Sequence, residues 1–236
     1  YLLSHSMGGL VSGLVMAEYP DRYDRAILSA PMFFNKCGMK DFDYALPLPQ
    51  WLLLPVMKLM HVIGGGTQHC IGNSLESSVK LLKTGITTFD ESHVDDWRSL
   101  RMKHPNIMAT CPCNDWLLNA MIASRKFHAI MNKVITPTLV INADHDYFVE
   151  NWPMEDFAVN AQHARLLHCP NACHEILFER PLIRSACLSI ITDFLLLNPS
   201  TKANNNNDYI TKLNVPHPLT EFDKTVLPNS RKGSIV

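Results

Sequence analysis

Apolar positions along this chain fall into two kinds of run. Short, nearly unbroken ones occupy residues 1–3, 25–29, 136–142 and 164–168, the pattern of strands buried on both faces. Longer ones repeat with a helical period. Residues 7–19 place Leu10, Val11, Leu14 and Val15 on one face and stop at Pro20. A second helix is predicted across residues 152–162. A third, across 181–197, starts at Pro181 and carries Ile183, Ala186, Cys187, Ile190, Ile191 and Phe194 in one stripe. Strand and helix alternate, which predicts an α/β fold with a parallel sheet and helices on its faces.

The alternation is interrupted once. Residues 32–133 hold helix-like apolar segments that no simple strand–helix unit needs, so they read as an inserted, mainly helical cap on a core of residues 1–31 and 134–198. Eight of the eleven methionines lie there: Met32, Met39, Met57, Met60, Met102, Met108, Met121 and Met131. Their flexible, polarizable side chains suit a surface that accepts acyl chains of varied shape, and equally suit core filling. Residues 45–63 are the most hydrophobic segment, yet Pro47, Pro49 and Pro55 break it and Gln50, Lys58 and His61 add polar groups. That makes a poor transmembrane helix and a better lid element, buried in the cap or touching lipid. Gly64-Gly65-Gly66 lacks the Lys-Ser/Thr pair of a phosphate loop and reads as a turn. Residues 199–236, with Asn204-Asn205-Asn206-Asn207 and several prolines, read as a mobile extension, which leaves four parallel strands in the core.

Candidate chemistry begins at the first strand. In Ser4-His5-Ser6-Met7-Gly8-Gly9 a strand meets a helix at a serine flanked by small residues, the pattern of a nucleophile elbow, where a strained corner holds the hydroxyl above the sheet. The usual motif is G-x-S-x-G; here Ser4 stands in place of its first glycine. Downstream, the run 138–142 ends in Asp144 and Asp146, and the run 164–168 is followed by a short loop and His174. The order Ser…Asp…His differs from that of chymotrypsin-like and subtilisin-like chains. The chemistry needs all three groups: an imidazole to take the serine proton, and a carboxylate to hold the imidazole's tautomer and stabilise its charged form.

The segments Ser4-His5-Ser6-Met7-Gly8-Gly9, Ala26-Ile27-Leu28-Ser29-Ala30-Pro31-Met32 and His174-Glu175-Ile176-Leu177-Phe178-Glu179 resemble the bacterial lysophospholipases, in the monoacylglycerol lipase and serine aminopeptidase branch of the α/β-hydrolases. The similarity covers most of residues 1–197 and is weak between 33 and 133. It implies Ser6 as nucleophile, His174 as base and Asp146 as acid, with the Met7 backbone N–H in the oxyanion hole. It also implies a lid over the site, with Trp51, Met57 and Trp116 expected to touch substrate. An α/β-hydrolase normally runs several strands before its elbow, so the chain is expected to be the C-terminal half of such a sheet, inactive by itself. The implied substrate is a lipid or acyl ester, with no organic cofactor and no metal. Peripheral membrane contact would come through the cap of an otherwise cytoplasmic protein.

Composition narrows the alternatives. Hydrophobic residues make up 47% of the 236, too many for a disordered chain. Lys+Arg of 21 against Asp+Glu of 22 leaves no electrostatic footprint for nucleic acid. The seven cysteines, Cys37, Cys70, Cys111, Cys113, Cys169, Cys173 and Cys187, are odd in number and irregularly spaced, which favours reduced thiols over a disulfide framework. Cys111-Pro112-Cys113 has the wrong spacing for a zinc knuckle, and the trio Cys169, Cys173 and His174 competes with the hydrolase role of that histidine. His5 is expected to pack with its ring turned from the Ser6 hydroxyl, and His145 to face solvent. Two other readings stay open: a proline-selecting aminopeptidase on the same core, and a non-catalytic binding protein of hydrolase fold.

Overall fold

The computed structural model describes residues 1–36, 50–70, 85–104, 112–196 and 210–212. Cys37 and Cys111, much of the proline-interrupted part of the cap, and the tail outside 210–212 lie beyond the described residues. In chain order the elements are β1 (Leu2–His5), α1 (Met7–Glu18), β2 (Ala26–Ser29), α2 (Gln50–Val62), α3 (Glu91–Lys103), α4 (Asn114–Ile130), β3 (Thr138–Ala143), α5 (Trp152–Asn160), β4 (Ala164–Cys169), α6 (Pro181–Leu196) and β5 (Ile210–Lys212). Short 3-10 turns at Met131–Lys133 and Ile176–Phe178 complete the set.

The strands lie in the order β1-β2-β3-β4-β5, with every pairing parallel. Four strands were expected; the fifth corrects that expectation. Ile210-Thr211-Lys212 pairs with Leu166, Leu167 and His168 on the outer side of β4. Its reason is the open ladder of β4, whose unpaired backbone groups accept any short extended segment, and two of its three residues are β-branched. The tail reading therefore gives way at 210–212.

Side chains alternate across the sheet and split the core in two. Ala26, Leu28, Val140, Ala164 and Leu166 face a layer containing Leu10, Met16, Phe127 and Phe157. Ile27, Leu139, Ile141, Leu167 and Cys169 face Ile183, Cys187, Ile191 and Phe194 of α6. The α6 stripe is thus buried as its spacing predicts. Helix α1 differs from the prediction: it buries Gly9, Leu10, Ser12, Gly13, Met16 and Ala17, while Val11 is 54% exposed. Small residues decide which face turns inward. A Cβ on Gly9 would stand 2.4 Å from Pro31 Cβ, and one on Gly13 would stand 2.6 Å from the Phe127 ring, so the helix approaches its neighbours along its glycine edge.

The cap is tied to this core by α4. Leu118 and Met121 of α4 pack with Leu54 and Met57 of α2 in a separate cluster. Farther along the same helix, Phe127 is fully buried beside Phe33 and Phe157, at 4.5 and 5.6 Å between ring centroids. One helix therefore serves both hydrophobic units. Gly64-Gly65-Gly66 lies in the turn after α2, with Gly64 at φ 82°.

Candidate active site

Ser6 occupies the corner between β1 and α1 with φ 52° and ψ −122°. A non-glycine residue there is strained, and the corner is held from the β2 side. Ser6 N–H donates to the Ser29 carbonyl at 3.0 Å, and the Ser6 carbonyl accepts from Met32 N–H at 2.8 Å and Gly9 N–H at 2.9 Å. Gly8 is less constrained than the motif suggests: a Cβ there would meet Ser4 Cβ at 3.7 Å, an ordinary contact. This spacing explains why Ser4 is accepted where a glycine is usual. The close approach is at Gly9.

The strands deliver two partners to the same corner. Asp146 lies in the turn after β3 and His174 in the loop after β4. His174 Nε2 is 2.9 Å from Ser6 Oγ, and His174 Nδ1 is 2.7 Å from Asp146 Oδ2. A carboxylate only accepts, so Nδ1 carries the proton and Nε2 is left to accept from the serine hydroxyl. The other Asp146 oxygen accepts the N–H groups of Phe148 at 2.8 Å and Val149 at 3.0 Å, which fixes the carboxylate's rotation. Asp146 and His174 are 3% and 6% exposed, and a charge-assisted hydrogen bond gains strength where water is excluded. Asp144, the other acid at this strand end, is exposed.

Aromatic rings close on both sides of the imidazole. Phe148 lies 5.0 Å from the His174 ring and His5 lies 4.7 Å from it. His5 packs through its ring, as expected, and the ring it packs against is that of the candidate base. The cause is its backbone position one residue before the corner, from which Nδ1 donates to the Ser29 carbonyl at 3.1 Å. With Nδ1 protonated, Nε2 stands 3.6 Å from Glu175 Oε2. Burial lowers the His5 pKa, Glu175 pulls the other way, and His174 adds to the lowering. Burial prevails, so the His5 pKa lies below its ordinary value despite the nearby Glu175 carboxylate.

The other expected contacts are distributed differently. Met7 opens α1, and the first N–H groups of a helix have no acceptor within it, so its amide is available at the corner. Met57 is 3% exposed and packs with Leu54, Leu118 and Met121, so it is a core residue of the cap rather than a groove wall. Trp51 is 72% exposed and Trp116 37%. His145 is half-buried, its ring centroid 5.6 Å from that of Phe89 in an edge-on arrangement, because the segment before α3 lies over it. Cys169 Sγ lies 3.1 Å from Cys187 Sγ, and burial raises the Cys173 thiol. Among the described residues no group of three or more His, Cys, Asp or Glu side chains could hold a metal ion.

Residues around the loop that carried no role in the sequence reading now have one. Lys36 Nζ donates to the Asp146 carbonyl, and Thr87 and Glu179 bond to the backbone beside His174. Glu179 lies in a segment whose resemblance was noted, but nothing in sequence spacing indicates that its carboxylate turns inward.

Comparison with known proteins adds to this geometry. Residues 1–181 match the family described as serine aminopeptidase, S33. Lysophospholipase L2 of Escherichia coli strain K12 is 29% identical over 218 residues, covering 88% of this chain and 61% of the relative. A probable lysophospholipase L2 of Haemophilus influenzae is 26% identical over 195 residues, covering 83% of this chain and 59% of the relative. The chain thus spans about three-fifths of the length of these curated relatives. Among solved structures, a Paleococcus ferrophilus monoacylglycerol lipase superposes with a TM-score of 0.61 at 15% identity, covering 82% of this chain and 67% of that one.

Proposed function

Because this chain belongs to the serine aminopeptidase S33 family, we propose that it is a serine hydrolase cleaving carboxylic esters of lipid-like substrates, lysophospholipids or monoacylglycerols. The single observation that carries this reading is the unbroken series Asp146–His174–Ser6, with links of 2.7 and 2.9 Å. The names of the two lysophospholipase relatives favour a lipid ester as substrate.

In this mechanism Ser6 Oγ attacks the acyl carbonyl as His174 Nε2 takes the hydroxyl proton. Asp146 holds the imidazole and stabilises its cation without itself taking the proton. The carbonyl oxygen becomes an oxyanion, which the Met7 N–H stabilises from the start of α1. The intermediate collapses, the C–O bond to the alcohol breaks, and His174 returns its proton to the leaving oxygen. Water, deprotonated by the same nitrogen, then attacks the acyl-enzyme; the acyl–Oγ bond breaks, His174 returns the proton to Ser6 Oγ, and the fatty acid is released. Exposed apolar side chains of the cap, Trp51, Leu59, Val62, Ile63 and Trp116, are proposed to meet the lipid or its membrane surface. No helix among the described residues is long and apolar enough to cross a membrane.

A fluorophosphonate probe tests the assignment directly. In the full chain it should label Ser6, and Ser6→Ala should abolish both labelling and ester turnover; labelling that survives the substitution overturns the reading. The family's description also favours an alternative, an aminopeptidase, and the form of it raised by the sequence is one selecting N-terminal proline. Turnover of a proline nitroanilide, with none of a monoacylglycerol, would select it.

A further inference from the structure

We infer that Glu179 is a positioning residue for His174, its buried carboxylate clamping the histidine's loop to the segment of the cap that precedes α3. The inference rests on the reading of Ser6, His174 and Asp146 as the reacting groups.

Glu179 is fully buried, and a buried carboxylate is tolerated only when donors surround it. Here three backbone N–H groups supply them. Oε1 accepts from Phe89 at 2.9 Å and from Cys173 at 2.9 Å, and Oε2 accepts from Arg180 at 3.1 Å. The Arg180 guanidinium adds a cation, its Nε 4.0 Å from Oε2. Burial pushes the carboxyl up, against the pull of these three amides and of Arg180.

What the clamp joins gives it a role in positioning. Cys173 immediately precedes His174, while Phe89 ends the short segment that leads into α3. The same two stretches are laced again just beyond the histidine: Glu175 N–H donates to the Thr87 carbonyl at 2.8 Å, and Thr88 Oγ donates to the Phe178 carbonyl at 3.1 Å. His174 is thereby held from the cap on both its N-terminal and C-terminal sides. Arg180 repeats the connection, donating to the Asn171 carbonyl at 3.2 Å with its guanidinium carbon 5.3 Å from the Phe89 ring centroid. Glu179 does not touch the imidazole. It acts through the backbone that carries it, so a shift of the Phe89 segment becomes a shift of Nε2 relative to Ser6 Oγ.

An acid is required rather than an amide. Three N–H groups converge, and a carboxylate offers acceptors in every direction, whereas glutamine presents an NH₂ on one side. In Glu179→Gln that NH₂ must confront at least one of the three donors, with almost no change in volume. Glu179→Asp keeps the charge but shortens the reach.

The test measures, in the full chain, kcat and KM on a short-chain nitrophenyl ester, per serine titrated with a fluorophosphonate, alongside Tm. Glu179→Gln should lower kcat by about tenfold to a hundredfold with KM within about twofold, the effect of sub-ångström misplacement of a reacting group. Glu179→Asp should recover part of the loss. Amide exchange followed by NMR gives a second reading: the Phe89 and Cys173 amides should be protected in the wild-type protein and lose protection together in Glu179→Gln. If kcat per titrated serine is unchanged while Tm falls, Glu179 is a folding strut only and the inference is overturned. Rapid exchange of either amide in the wild-type protein overturns it without any variant. Failure of the wild-type protein to label at Ser6 defeats the hydrolase reading instead, and the exchange data then decide whether the clamp exists.

Discussion

The strand ends that carry Ser6, Asp146 and His174 and the cap built on α2 and α4 are assembled on opposite plans. At the strand ends each polar group is fixed by backbone. Ser6 is held through Ser29 and Met32, and Asp146 through Phe148 and Val149. In the cap the principal joint is apolar, Leu54 and Met57 against Leu118 and Met121, with large side chains such as Trp51 and Val62 left 72% and 79% exposed. Directional bonds hold a geometry to fractions of an ångström. Apolar contact holds a shape that tolerates exchange of side chains. A reaction needs the first, and the proposed reception of acyl chains needs only the second. Substitutions should therefore act on turnover at one region and on stability or lipid affinity at the other.

The largest effects belong to the strand ends. His174→Ala should reduce kcat by on the order of 10⁶, since groups acting as a unit lose most of their effect singly. Asp146→Asn should cost about 10⁴, because it favours the wrong imidazole tautomer. Asp144→Asn should leave the rate nearly intact, as Asp144 is exposed and it is the Asp146 carboxylate that bonds His174. Steady-state rates per titrated serine decide between the acids, and a strong loss in Asp144→Asn alone would reverse the assignment.

The two regions also differed in legibility. Apolar runs ending in chemistry-bearing residues led to Ser6, to the pair Asp144 and Asp146, and to His174, because a parallel sheet delivers its strand ends to one edge; the choice of Asp146 came from the family resemblance. Strand alternation and the α6 stripe were equally readable, being set by local period. Contacts made across long sequence distances were not. Nothing local shows that the Phe89 segment lies on the His174 loop, or that Glu179 turns inward between them. The turn of α1 onto its glycine edge escaped notice for a related reason. Periodicity weighs apolar bulk, whereas the packing there is decided by the absence of a Cβ opposite Pro31 and Phe127. Met57 and Trp51 were grouped together as apolar residues of one segment, yet one is 3% and the other 72% exposed.

That last pair sharpens the comparison within the cap. Met57→Ala should destabilise the protein by about 2–5 kcal/mol, the transfer and cavity cost of truncating a buried side chain. Trp51→Ala should change stability by no more than about 0.5 kcal/mol, as exposed positions do, while weakening binding to vesicles of lysophospholipid-containing bilayers. Denaturant melts and vesicle sedimentation on both variants would separate the roles. Equal stability losses would mean that Trp51 is structural.

Gly9 and Gly8 form a second pair, where the strain of the corner meets the core. Gly9→Ala should cost about 1–3 kcal/mol through overpacking, because the new Cβ would stand 2.8 Å from Pro31 Cα as well as 2.4 Å from its Cβ. Backbone on that side cannot rotate away. Gly8→Ala adds a Cβ at ordinary contact distance from Ser4 and should change Cm little. If the two variants melt alike, the close approach of α1 to Pro31 is not what holds the corner.

The smallest effect expected is the pH dependence contributed by His5. Burial lowers its pKa, so between the folded value and the unperturbed value of about 6.5 the unfolded chain binds more protons than the folded one. Stability therefore rises with pH across that window. The contribution is present above about 6.5 and is lost as pH falls through the folded value. The groups facing the ring are the Glu175 carboxylate at 3.6 Å and the His174 ring at 4.7 Å, with the Asp146 charge beyond and the Ser29 carbonyl on Nδ1. Glu175 and Asp146 favour the cation and His174 opposes it, so the net slope is set by burial. His5→Gln keeps a donor for Ser29 and removes the titration. Thermal melts between pH 5 and 7.5 should show the wild-type Tm falling more steeply on acidification than that of His5→Gln. Parallel slopes would show that Glu175 offsets burial and that folding leaves the titration of His5 unchanged.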